Sequence, residues 1–251
     1  MDLTRAVKAL LLICAGVYLV QVLMPQSLEY RMLSVFGLSV EGVMRGWWWQ
    51  FVSYALLHGS ILHLLLNMLG LFFLGPELER HMGSRAFVTM FVFCAVLGGL
   101  GWFVMTTPHE GVCVGASGGI FGLIGAFAGL FPHRQLTLLV FFVLPVTMPA
   151  WLLAVLFGLM QLGYLLTPGP SGIAYAAHLA GGLAGYLFVR VVYRGYEGRA
   201  VPVAMPWSRP VRPEGPSQAE IDAILDKITT QGIHALTPRE RALLQQAGRR
   251  R

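Results

Sequence analysis

Four polar residues stand in stretches that are otherwise apolar: Ser117, His178, His63 and Asn67. Ser117 lies in Gly115-Ala116-Ser117-Gly118-Gly119, at the head of an uncharged run from Ile120 to Pro132. A serine hydroxyl becomes a nucleophile only when a base takes its proton, and His178 is the histidine in a matching position. His63 and Asn67 are four apart, so a helix puts them on one face. The chemistry these types fit is acyl transfer. Ser117 would attack a carbonyl, His178 would move the protons, and the side chains of His63 and Asn67 with the Ser117 amide at a helix start would hold the oxyanion. The plainer readings are a serine bonded back to the preceding turn and an interhelical hydrogen-bonding pair at His63 and Asn67. Three such sites in lipid-buried stretches are more than packing asks for, because polar groups at membrane depth are costly. No acidic residue shares that depth: Glu77 and Glu79 stand at the far end of the run that carries His63. The expectation is a Ser–His dyad without a carboxylate orienter.

The elements that must position these residues are membrane helices. The chain of 251 residues is 56% hydrophobic and only 12% charged, with a mean hydropathy of +0.66. A soluble domain carries roughly 25% charged residues, so this is a polytopic, all-α membrane protein. Cys14, Cys94 and Cys113 have no metal-ligand spacing and imply no disulfide framework, and no cofactor is called for. The net charge of +6 comes from basic residues at loop ends and in the tail, which fits orientation in a lipid bilayer and not a nucleic-acid partner.

Six spans are expected. The first runs from Ala9 to Leu28, too long an apolar core for a signal peptide and read as a retained helix. A long loop with short amphipathic helices follows, and its Trp47-Trp48-Trp49 suits an interface. The second span, about Ser60 to Leu78, carries His63 and Asn67; the third is Ala86 to Met105; the fourth begins near Ser117. The charge-free run from Gln135 to Ala177 exceeds one span, and Pro145, Pro149 and Pro168-Gly169-Pro170 divide it. The fifth is therefore roughly Pro149 to Leu166, and the sixth starts near Ile173, holds His178 and ends at Arg190 and Arg194. Gly118, Gly122 and Ala126 form a small-residue stripe on the fourth, Gly125 and Gly129 a second one, and Ala177, Gly181 and Gly185 a stripe on the sixth, so the two helices can touch. Arg80, Arg85 and Arg134 then fall in inside loops and only Arg31 and Arg45 in outside ones, which places both termini in the cytoplasm of a cell whose inner membrane the chain crosses.

From Tyr196 the composition changes. Residues 1–195 read as the membrane domain, 196–216 as a Pro/Arg-rich linker and 217–251 as a small helical cytosolic tail. In the tail, Ser217-x-x-Glu220 and Thr237-Pro238-Arg239-Glu240 are two helix-start signatures.

His58-x4-His63-x3-Asn67, Gly115-Ala116-Ser117-Gly118 and Ala177-His178-x-x-Gly181 resemble the three signature motifs of the rhomboid intramembrane serine proteases, in order, on the second, fourth and sixth helices. The resemblance covers about residues 6–194. It implies a six-helix rhomboid bundle with Ser117 as nucleophile and His178 as base, and oxyanion contacts from His63, Asn67 and the Ser117 amide. Gly115, Gly118, Phe121 and Gly181 would support them. It also implies transmembrane protein substrates, each a single helix cut near its outer boundary. Two positions depart from the family pattern. Trp49-Gln50 replaces Trp-Arg and is expected to loosen the first loop; Phe121 replaces a tyrosine under the histidine, keeping the ring face and losing the hydroxyl. The alternative is a non-catalytic adaptor that binds clients' helices, but inactive relatives generally lose the serine or histidine, and both are kept. A small-solute transporter would favour inverted repeats or paired charges, which the chain lacks.

Overall fold

In a bilayer the backbone must satisfy its own hydrogen bonds, and a single apolar stretch does so as a helix. The computed structural model describes residues 2–106, 111–140, 143–167, 174–193 and 218–248, in two units, Met1–Arg199 and Ala200–Arg251. The first unit opens with α1 (Arg5–Leu23), which stops at Met24 and not at Leu28 because Pro25 forces the residue before it out of the helical region. The side chain of the α1 N-cap residue, Thr4, caps nothing in its own helix. The exposed amides of that first turn are met from elsewhere in the chain: the carboxylate of Glu79, buried, accepts from the N–H groups of Ala6 and Val7 at 2.9 Å each, and from the hydroxyls of Thr4 and Ser84.

The long loop folds as α2 (Gln26–Phe36), α3 (Val40–Met44), α4 (Gln50–Ser53) and a 3₁₀ turn, Tyr54–Leu56. Gln50, from which a looser loop was expected, is hydrogen-bonded into it. The side chain is fully buried; its oxygen accepts from Ser39 N at 3.1 Å, and its amide nitrogen donates to Ser34 O and Val35 O. A neutral amide both accepts and donates, so it ties three backbone groups where an arginine would only donate.

Next comes α5 (Ile61–Met105), bent at Gly83, whose φ of 82° breaks it into arms 61–82 and 84–105. Then follow α6 (Ser117–Leu130), a hairpin of β1 (Gln135–Val140) and β2 (Leu144–Pro149), α7 (Ala150–Leu166), and α8 (Tyr175–Leu187), which runs on into a π-helical turn, Phe188–Tyr193. The antiparallel hairpin, in register from Gln135↔Pro149 to Val140↔Leu144, is an addition to the all-helical expectation. Pro145 and Pro149 were read only as breakers; here they occupy positions of a two-stranded ribbon, where one side of each strand is an edge and proline is tolerated. By length and hydropathy Arg5–Leu23, Ile61–Met105 and Tyr175–Tyr193 can each cross a membrane, and Ser117–Leu130 and Ala150–Leu166 are shorter apolar helices. The protein is a polytopic helical membrane protein.

At its centre α6 and α8 cross backbone to backbone. A Cβ on Gly181 would come within 2.1 Å of Gly118 O, and one on Gly185 within 1.9 Å of Gly122 O. The stripes seen in the sequence therefore face each other, and only hydrogen fits between them.

The second unit holds α9 (Gln218–Gln231), a 3₁₀ turn, Ile233–Ala235, and α10 (Pro238–Gly248). Ile224 and Leu236 are its buried apolar residues. Thr237 and Glu240 form the second of the two helix starts, Glu240 N donating to Thr237 Oγ1 at 3.3 Å and Thr237 N to Glu240 at 2.7 Å. Ser217 and the 196–216 segment lie outside the described residues.

Candidate active site

The segment before Ser117 is pinned on both sides. Leu38 and Cys113 exchange backbone hydrogen bonds at 3.0 and 2.8 Å, and Gly115 N donates to Tyr54 O at 2.9 Å. Gly115 then turns the chain with φ of 124°, a conformation that side chains disfavour. There is no room for one either, since a Cβ would fall 2.6 Å from His63 Nε2. Ser117 opens α6, so its amide is one of the four at a helix start with no acceptor within the helix.

His178 comes in on the first turn of α8 and is 9% exposed. Its Nε2 lies 2.8 Å from Ser117 Oγ. The two residues, 61 positions apart, are brought together by the α6–α8 crossing at Gly118, next to Ser117, and Gly181, one turn along from His178. Phe121, one turn below Ser117, lies flat against the imidazole at 4.3 Å between centroids and 4° between planes. The ring face survives the loss of the tyrosine hydroxyl.

His63 and Asn67 come from the start of α5, where Ser60 caps the helix by accepting from His63 N at 3.1 Å. Asn67 is buried and spends one of its two amide hydrogens on His63 O at 3.0 Å, leaving the other for a ligand. The ring of His63 meets that of His58 edge to face at 5.3 Å, and His58, in the loop before α5, is buried. An open cavity of about 1310 Å³ runs between the first arm of α5 and α7, and His63, Asn67, Ser117, Phe121 and His178 all line it. Glu77 and Arg134, paired at 3.2 Å, are among its other lining residues.

One contact was not foreseen. Gln161, in the middle of α7 and 5% exposed, places Oε1 2.9 Å from His178 Nδ1. The orienter sought in the sequence was a carboxylate, and an amide was passed over. The signal was nonetheless present: Gln161 is the lone amide of an apolar helix, and a polar group at membrane depth asks for a partner.

Comparison with known proteins identifies the family. The family model described as "Rhomboid domain" matches residues 45–195, more than half the chain, and the protein belongs to the rhomboid family. A second model, "Family of unknown function (DUF6576)", matches residues 216–250. Among similar proteins, the putative rhomboid protease YdcA of Bacillus subtilis is 38% identical over 94 residues, covering 38% of this chain and 47% of that protein. The mitochondrial Rhomboid protein 1 of Saccharomyces cerevisiae is 34% identical over 146 residues, 55% of this chain and 40% of that one. Rhomboid protease GlpG of Photorhabdus laumondii is 31% identical over 142 residues, 55% and 45% of the two chains. The chain thus spans less than half the length of each of these relatives.

Proposed function

We propose that the protein is an intramembrane serine endopeptidase that cuts single-pass transmembrane proteins near the outer membrane boundary. The observation that supports this most is the 2.8 Å Ser117–His178 pair at the wall of an open cavity, backed by Phe121. The names of the relatives, several of them rhomboid proteases, point the same way. In this reading His178 Nε2 takes the Ser117 proton as Oγ bonds to the scissile carbonyl carbon. The carbonyl oxygen becomes the oxyanion, facing the Ser117 amide, Asn67 and His63. Collapse breaks the C–N bond, and the imidazolium returns its proton to the leaving amine. Water then attacks the acyl-serine carbonyl and gives a proton to His178; the C–Oγ bond breaks, His178 returns the proton to Ser117 Oγ, and the second fragment leaves as a carboxylic acid.

The same reading takes the two arms of α5 as separate spans, giving six crossings, with both termini in the cytoplasm. It takes 1–195 as the catalytic membrane domain, 196–216 as a linker and 217–251 as an accessory tail. The test is to reconstitute the full chain in liposomes with a reporter transmembrane segment, beside Ser117→Ala. Cleavage by the wild type and a loss of at least about 10⁴-fold in the variant is expected. Helix binding without cleavage in both would make the chain an adaptor.

A further inference from the structure

We propose that Gln161 is a positioning residue for His178. Its side-chain carbonyl accepts the Nδ1–H of the imidazole and so holds the tautomer whose Nε2 faces the Ser117 hydroxyl. The inference rests on reading His178 as the base.

A neutral imidazole has a single N–H, and the nitrogen that carries it cannot accept a proton. If Nε2 held the hydrogen, His178 would donate to Ser117 Oγ and there would be no base. Among the described residues three groups stack on the ring or hydrogen-bond to it, and they constrain it differently. Phe121 lies flat against one face and fixes its tilt, but a stacked ring tolerates either tautomer and a half-turn that exchanges nitrogen for carbon. Ser117 Oγ can donate or accept, so it also leaves the tautomer open. Gln161 Oε1 can only accept. It is therefore the contact that selects the Nδ1–H form, just as an outer partner of a metal-bound histidine fixes which nitrogen is free. An amide does this without placing a negative charge in a lipid-buried site, which would be costly. Gln161 also belongs to a different helix from either member of the pair: α6 supplies the serine, α8 the histidine, and α7 the group that sets the histidine's proton.

The plainer role for such a contact is interhelical adhesion of α7 to α8, and the experiment separates the two. The full-length protein in detergent micelles, labelled with ¹⁵N-histidine, reports the tautomer of His178 by its nitrogen shifts, assigned against His178→Ala. The wild type should show Nδ1 protonated. Gln161→Met, of similar length with no strong acceptor, should shift the population toward the Nε2–H form. It should also lower kcat about 10- to 100-fold at nearly unchanged KM, and Gln161→Glu, which restores an acceptor at the same reach, should recover part of that loss. A Gln161→Met protein with a lower melting temperature but an unchanged tautomer, and unchanged kcat per folded molecule, would overturn the proposal and leave adhesion. If the wild type cleaves nothing yet the tautomer switches as described, the protease reading fails while the hold of Gln161 on the ring stands.

Discussion

The inner pair of helices and the outer ones are held by different means. Ten of the 14 residues of α6 are buried, and below the Ser117–His178 hydrogen bond and the Phe121–His178 stack its contact with α8 is close shape, glycine against carbonyl. In α7 three of 17 residues are buried, Ala150, Leu153 and Gln161, and its one polar tie to α8 is Gln161 to His178. On the other side α1 buries four of 19 and is fastened at both ends by side chains from or to other segments. Glu79 holds its first turn, and Gln21 bonds His58 N and O at 3.1 Å each. Lipid tails are as apolar as leucine, so the hydrophobic effect cannot sort helices within the bilayer. What remains is close backbone approach, which small residues permit, and hydrogen bonds, which single polar residues supply. The Ser117–His178 pair is built on the first, and its peripheral helices are attached by the second.

That contrast can be broken most severely at the crossing. Gly181→Val would drive a side chain into Gly118 O, where a Cβ alone already comes to 2.1 Å. Backbone on both sides cannot yield as a side-chain tip would. We expect a loss of about 3 kcal/mol or more and no cleavage, since α6 and α8 could no longer hold Ser117 and His178 together. Leu159→Ala, on the exposed surface of α7, should stay within about 0.5 kcal/mol. Thermal unfolding in detergent measures both; equal stabilities would show that shape does not hold the inner pair.

Polar ties should cost less, in order of the number of groups they serve. Glu79→Leu strips acceptors from two backbone amides and two hydroxyls, and should destabilise by about 2 kcal/mol, the scale of orphaned buried donors. Gln21→Leu removes a two-point contact of the ordinary interhelical kind, worth roughly 0.6–1.7 kcal/mol. Unfolding of the two variants, side by side, ranks them. A Gln21 variant weaker than the Glu79 variant would place the main anchor of α1 at the wrong end.

These same ties mark where the sequence was readable and where it was not. Ser117 and His178 were legible because a serine and a histidine in apolar runs carry a specific chemistry. Their meeting was legible because the small residues of α6 and α8 recur at helical spacing. The stack of Phe121 under His178 came from the family resemblance and not from spacing. The glutamines escaped. Gln21, Gln50 and Gln161 are all buried, and each ties its helix to another segment, yet one amide in an apolar run does not say which backbone group or ring it will meet. That partner is set by tertiary contacts 10 to 40 residues away. The hairpin escaped for another reason: the alternation of Gln135-Leu136-Thr137-Leu138 is short and sits in a charge-free run that was divided only at its prolines. The break expected between Leu78 and Ala86 falls at Gly83, where a single residue with φ of 82° separates the two arms in place of a longer loop.

In the second unit the balance of forces changes again, and it offers the smallest and most specific test. Lys227 Nζ lies 3.0 Å from both carboxylate oxygens of Glu240, joining α9 to the first turn of α10, and the Thr237 amide and hydroxyl bond the same carboxylate at 2.7 and 2.9 Å. The Thr237 amide first, then the Lys227 ammonium and the Thr237 hydroxyl, hold the carboxyl of Glu240 down at about 2. A carboxylate whose folded pKa lies below its unfolded value of about 4.3 binds protons more readily when unfolded. Its contribution is therefore complete above that value, declines as the pH falls, and is gone below about 2. Hydrogen exchange of the amides in 238–248, compared between the full-length wild type and Glu240→Gln at each pH, reads it directly. The wild type should be better protected at pH 6, and the gap should narrow between about pH 4.3 and about 2. A gap that does not change with pH across that window would mean the carboxylate's charge is not what joins the two short helices.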